Sequence, residues 1–182
     1  MLASYGAGFG SVAPRSSPVC SGIFARVELR IALAQRLYAA LANADLDSMA
    51  TLLAADFSLT IRAPLGVGDA AIVGRFEGLD AAWRGVWSRL GRVAAVAIEV
   101  DRAGWVGCED GRLLVNGRYL GSARDDPSRR LDAPFSHLLE FVADPPRQIR
   151  SLIQITDSAA WNRLLVPAPA LSGGPGVPRC DG

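Results

Sequence analysis

Residues 131–142 read Leu-Asp-Ala-Pro-Phe-Ser-His-Leu-Leu-Glu-Phe-Val. Leu131, Ala133, Phe135, His137, Leu139 and Phe141 alternate with Asp132, Pro134, Ser136, Leu138, Glu140 and Val142, and the first set is the more apolar. A period of two with one apolar side is the mark of a strand buried on one face, and it turns His137 inward. Working outward, Arg112–Ala123 and Gln148–Thr156 have the same character, as do Val93–Asp101 and a short Gly104–Cys108. The turns between them carry Glu109-Asp110-Gly111, Asp125-Asp126-Pro127 and Asp144-Pro145-Pro146. Before Gly91 the period changes. Val27, Ile31, Ala34, Tyr38 and Leu41 recur every three or four residues as one helical stripe, broken by Asn43-Ala44-Asp45. Asp45 is placed to cap a short second helix through Leu53. Phe57–Arg62 reads as a strand stopped by Pro64, and glycines 66, 68, 74 and 78 as a loop. A third helix is expected from Leu79 to Leu90, and a last helical turn from Asp157 to Leu165. Helices first and an antiparallel meander afterwards predict an α+β fold, with helices on one face of a curved sheet.

The chain has 182 residues and a formal net charge of +1. That length supports one core, and the near-neutral charge offers no electrostatic case for nucleic acid. Half of the residues are hydrophobic, which excludes intrinsic disorder. No apolar run approaches the roughly 20 residues that span a bilayer. The first residues lack a basic start followed by an apolar block, which reads against a signal peptide and for a cytoplasmic protein. Cys20, Cys108 and Cys180 are widely spaced, without the pattern of a disulfide framework or a metal site. All 19 basic residues are arginine, so no lysine is present for Schiff-base chemistry. Residues 1–22 read as a flexible leader, 23–165 as the folded domain and 166–182 as a loose Pro/Gly-rich tail.

Three stretches resemble the nuclear-transport-factor-2-like superfamily, in its SnoaL-like branch of polyketide cyclases, ketosteroid isomerases and limonene-epoxide hydrolases. The first is Gln35-Arg36-Leu37-Tyr38-Ala39-Ala40-Leu41, continuing through Asp45-Leu46-Asp47 to Leu53-Ala54-Ala55-Asp56. The second is Gly78-Leu79-Asp80-Ala81-Ala82, and the third Ile149 to Asp157. The resemblance implies a cone-shaped curved antiparallel sheet of the cystatin-like type, helices on its concave face, a deep apolar pocket and a homodimer. It does not fix the reaction. Where the isomerases hold a catalytic Tyr and a basic Asp-Pro, this chain has Leu37 and Ala63-Pro64. Where the epoxide hydrolases hold Arg-x-Asp and Asp, it has Tyr119-Leu120-Gly121 and Gln154.

Two alignments compete at the isomerases' oxyanion-hole acid, one placing Ser136 there and the other His137. Strand parity favours His137, whose imidazole with near-neutral pKa would serve as acid, base or hydrogen-bond donor. Gln154 is turned inward by the family landmark, although alternation alone would bury Ile149, Ile153 and Ile155 and expose Gln154, Leu152 and Thr156. The isoleucines would then form an outer, dimer-forming face. Tyr119 shares the parity of Leu113, Val115 and Gly117. His137, Gln154 and Tyr119 are the catalytic candidates. Tyr38, Arg62, Trp83, Trp87, Leu152 and Thr156 are candidates for binding substrate; Tyr38 reads as packing before chemistry, and Arg62 as either reaching solvent or meeting a carboxylate.

These residues and the resemblance imply an enzyme without cofactor or metal. Its substrate would be a small apolar polyketide-type intermediate of antibiotic biosynthesis. The reaction would be cyclisation or isomerisation, including a cycloaddition templated by pocket shape. The alternatives are a non-catalytic binding or dimerisation module, and an epoxide hydrolase or dehydratase with His137 as base.

Overall fold

The computed structural model describes residues 18–66, 71–143 and 145–166. Most of the expected leader and tail, and Gly68, lie outside them. Helix α1 (Pro18–Ala42) begins ahead of the expected domain start at Ile23 and buries Leu33, Ala34, Leu37, Tyr38 and Ala40. It ends at Asn43 and Ala44, the latter at a positive φ of 53°. Asp45 then caps α2 (Leu46–Leu52), its carboxylate accepting from the Ser48 amide.

Six strands follow: β1 (Leu53–Leu65), β2 (Ile72–Glu77), β3 (Ala94–Gly107), β4 (Leu113–Ala123), β5 (Arg130–Val142) and β6 (Gln148–Thr156). Their order in the sheet is β2-β1-β6-β5-β4-β3. The outermost strands β2 and β3 do not pair, so the sheet is curved and unclosed. The meander from β3 to β6 is antiparallel as expected, but β1 lies parallel to β6. Between β2 and β3 run α3 (Gly78–Ala82), a π-helical turn (Trp83–Trp87) and α4 (Ser88–Val93); α5 (Ser158–Leu165) closes the chain. Asp157 caps α5 by accepting from the amides of Ala159 and Ala160. No helix among the described residues is long and apolar enough to cross a membrane.

The strands depart from expectation in three places. Pro64 does not stop β1: beyond Ile61 the strand has lost β6, pairs with β2 alone and carries a register shift. An irregular edge with one neighbour tolerates a residue without an N–H. The glycine-rich stretch contains β2, where Gly74 at φ 105° takes a conformation that other residues rarely adopt. Val93–Asp101 and Gly104–Cys108 form one strand with an irregularity between Val100 and Trp105.

Leu59, Ile61, Leu113, Val115, Leu139 and Ile149 on the sheet meet Leu37, Met49, Val86, Trp161 and Leu164 from the helices in one buried core. Burial of Ile149 corrects the expected outer isoleucine face. In the β5–β6 ladder Glu140 faces Ser151 while Phe141 faces Ile149, which leaves Arg150 as an extra residue. That bulge inverts the alternation, so that Ile149 and Leu152 both point inward. Ile153 is half-buried, and Ile155 lies on the outer side, 55% exposed.

Candidate functional site

A cavity of about 400 Å³ lies between the helices and the sheet. Its floor is made by strand residues of matching parity. His137 and Gln154 stand directly opposite each other across the β5–β6 ladder, and Tyr119 reaches them from β4. Leu152 and Trp161 complete the floor, Trp83 and Trp87 form one wall, and Val96 and Ile98 another. Around the mouth are the end of α1 (Leu41, Ala42), Ala44, and the α4 segment from Ser88 to Arg92 with Arg124. Among the described residues no aspartate or glutamate lines this cavity.

The polar groups of the floor form a chain of hydrogen bonds. The Tyr119 hydroxyl donates to Gln154 Oε1 at 3.0 Å. Its oxygen therefore accepts from His137 Nε2–H, 2.7 Å away. With the proton on Nε2, Nδ1 keeps its lone pair and accepts from the Tyr38 hydroxyl at 2.9 Å. Both ring nitrogens are thus engaged, and one tautomer is fixed. Phe135 stacks on the imidazole with ring centroids 4.3 Å apart and packs on Tyr119 at 4.7 Å. Trp161 meets Tyr119 edge-on at 5.3 Å.

Burial sets the protonation states. Desolvation lowers the His137 pKa from 6.5 to about 3, so the imidazole stays neutral at physiological pH. That replaces the near-neutral pKa expected from the sequence. Burial pushes the Tyr38 hydroxyl well above its usual value. Tyr119 is raised for the same reason, and further by Tyr38 beside it. No member of this hydrogen-bond chain carries a charge, and among the described residues no acid lines the cavity to neutralise one. Of the cavity-lining side chains, Gln154 Nε2 and the indole Nε1 of Trp161 are buried donors without a partner among the described residues. Because Tyr119 engages one end of the Gln154 amide, the other end is left for something else to satisfy.

The remaining candidates fall in different places. Tyr38 does not line the cavity; it stands behind His137 and orients it, packed on Trp105 at 6.2 Å. Arg62, expected beside the pocket, is exposed and away from it, because β1 runs on to Leu65. Thr156 is likewise off the wall: its hydroxyl donates to the Pro134 carbonyl at 2.8 Å. Leu152 lies on the floor. Ser136, the competing residue on β5, donates to Asn116 Oδ1 on the opposite face. Trp83 and Trp87 bound the π turn, whose looser i→i+5 winding brings residues four apart nearly into line. Trp87 also stacks on Phe57, with centroids 6.3 Å apart.

Sequence reasoning did not single out Trp161, Arg92 or Arg124. The signal for Trp161 was the spacing of Ala160, Trp161 and Leu164 on one side of α5. Nothing local marks the two arginines, which the topology brings to the mouth. Among the described residues no three His, Cys, Asp or Glu side chains gather closely enough to hold a metal ion.

No family model matches the sequence, and no curated protein matches it. Solved structures do. An NTF2-like protein from Burkholderia xenovorans LB400 is 16% identical over 76% of this chain and 97% of its own, with a TM-score of 0.60. TerC, co-crystallised with polyporic acid, is 14% identical over 75% of this chain and 98% of its own, with a TM-score of 0.62. A protein from Jannaschia sp. CCS1 assigned as a SnoaL-like polyketide cyclase is 18% identical over 86% of this chain and all of its own, with a TM-score of 0.57. These likenesses, on the element order and unclosed sheet described above, show that the chain has the nuclear-transport-factor-2-like fold.

Proposed function

We propose that this protein is a cyclase or isomerase acting without a cofactor on a small apolar intermediate of polyketide type. The observation that carries the reading is the uncharged chain that runs from Tyr38, behind the floor, through His137 and Tyr119 to Gln154 in an aromatic-walled cavity lined by no carboxylate among the described residues. Assignments of structural neighbours as polyketide cyclases and as an isomerase support the reaction class.

The chemistry follows from what the floor offers. A neutral, fully engaged imidazole is a poor base, so His137 acts through Tyr119 as a positioning residue. Each hydrogen bond in the chain polarises the next, and the sum is delivered at the Gln154 amide. Its free N–H is suited to a substrate carbonyl and binds more strongly the enolate-like oxygen that develops as a ring closes or a double bond moves. The tryptophans hold a flexible precursor in the folded conformer, which lowers the barrier by removing entropy in advance.

The test is incubation with linear polyketide-type ketones and product analysis by mass spectrometry. An isomer of unchanged mass and new retention time is the expected product, formed about 100-fold more slowly by Gln154→Leu. A product that has gained water would favour the hydrolase reading. Tight binding without turnover would favour a carrier, and wild-type turnover in Gln154→Leu would remove the amide from the mechanism.

A further inference from the structure

The cavity has a neutral floor and a positive mouth. Among the described residues its lining holds two charged side chains, Arg92 and Arg124, and no acid to balance them. Arg124 is fixed rather than trailing into solvent: its Nε donates to the Gly91 carbonyl at 2.7 Å, and its backbone N–H to the Val93 carbonyl at 2.9 Å. These bonds tie it to the end of α4 and leave the two terminal amino groups of the guanidinium without partners among the described residues. The neighbouring acids do not neutralise it, because Asp125 and Asp126 are both turned to Arg129. Among the described residues Arg92 makes one long contact, 3.4 Å, to Ser88 Oγ. Capping of α4 explains one nitrogen of Arg124 and no part of Arg92.

At the other end, Gln154 and Trp161 are 5% and 1% exposed, and each carries a buried N–H with no acceptor. Two neutral donors below and two guanidinium forks above specify different groups on one ligand. A neutral carbonyl suits the floor, where burial holds His137 uncharged and an anion would find no counter-charge. A carboxylate suits the mouth, where a guanidinium binds it through paired N–H groups.

Resting on the cavity reading above, we propose that the ligand is a keto acid. Its carboxylate sits at Arg92 and Arg124 at the mouth, and its ketone points to Gln154 and Trp161. The apolar body between them spans the tryptophan wall. The ketone is the group that reacts; the carboxylate selects the substrate and sets its direction of entry.

The experiment compares anthraquinone-2-carboxylate with anthraquinone-2-carboxamide, which share a carbonyl-bearing ring system and differ in charge. Binding is read from tryptophan fluorescence. The carboxylate is expected to bind wild type about tenfold more tightly than the carboxamide. That preference should shrink with added salt and vanish in Arg92→Gln/Arg124→Gln. Arg92→Gln alone, which touches only Ser88, should lose part of it and keeps the test readable where loss of Arg124 loosens the end of α4. Equal binding of the two probes to wild type overturns the keto-acid assignment while leaving the cavity as a ketone site, as does a preference that survives the double variant. Failure of both probes to bind overturns the cavity reading together with this one.

Discussion

His137 and Gln154 face each other across neighbouring strands yet are joined through a third residue, the Tyr119 hydroxyl bridging Nε2 of one and Oε1 of the other. The floor of the cavity therefore depends on an oxygen that serves as acceptor and donor at once.

Removing that oxygen tests the arrangement. Tyr119→Phe keeps the ring contacts with Phe135 and Trp161 but leaves a buried imidazole N–H and a buried amide oxygen unmatched. Each such group costs about 1–3 kcal/mol. We expect a fall of about 2 kcal/mol or more in urea-unfolding free energy, and a drop in turnover with little change in KM, since Tyr119 acts through Gln154. Unchanged stability would show that the bridge is not formed.

The depressed His137 pKa fixes a pH dependence. Between the ordinary value of 6.5 and about 3 the unfolded chain binds a proton that the folded chain does not. The stability contribution is intact above 6.5 and is lost as pH falls toward 3, at up to about 1.4 kcal/mol per pH unit. His137→Gln should flatten this part of the profile measured by urea titration. In turnover, no near-neutral inflection from this residue is expected; one that vanishes in His137→Gln would restore it as a base.

Gly117 is needed where it stands. A Cβ there would lie 2.2 Å from the Glu99 carbonyl oxygen and 2.8 Å from the Phe135 ring. Gly117→Ala should lower stability by about 1–3 kcal/mol and shift Phe135, which stacks on the imidazole. A melting temperature equal to wild type would contradict this packing.

The outer sheet face predicts self-association. Val106, Leu114, Leu138 and Ile153 pair in sequence across β3, β4, β5 and β6, with Ile155 exposed beside them. Sedimentation should give a dimer, and Ile155→Glu a folded monomer. A monomeric wild type would sink the expectation.

The parts of this molecule that a reader of the sequence recovers are those where one rule acts alone. The alternation from Leu131 to Val142 made the strand legible, and its parity decided between the competing alignments on Ser136 and His137 in favour of the inward histidine. Asp45 announced the start of α2 by capping chemistry, whereas Asp157, read from the sequence only as the start of a last helical turn, is the residue that caps α5. Local rules failed where tertiary pairing overrode them. Pro64 and Gly74 read as breaks, but an edge position and a left-handed glycine admit both to strands. Arg150 carries no mark of a bulge, and the side of every residue before it on β6 depends on that one insertion. Gln154 was placed inward by family resemblance where alternation would have placed it outward. Arg92 and Arg124 share a mouth only because Arg124 closes onto the end of α4.

The π-helical turn from Trp83 to Trp87 has a consequence for how such a cavity is resized. Deleting one residue inside it would restore ordinary helical winding and change the angular offset between the two indoles. The tryptophan wall would be reshaped while Tyr119, His137 and Gln154, on separate strands, kept their bonds. On the function proposed above, ligand size and carbonyl recognition are then set by separate parts of the fold, so that the wall can change with the reactive end untouched.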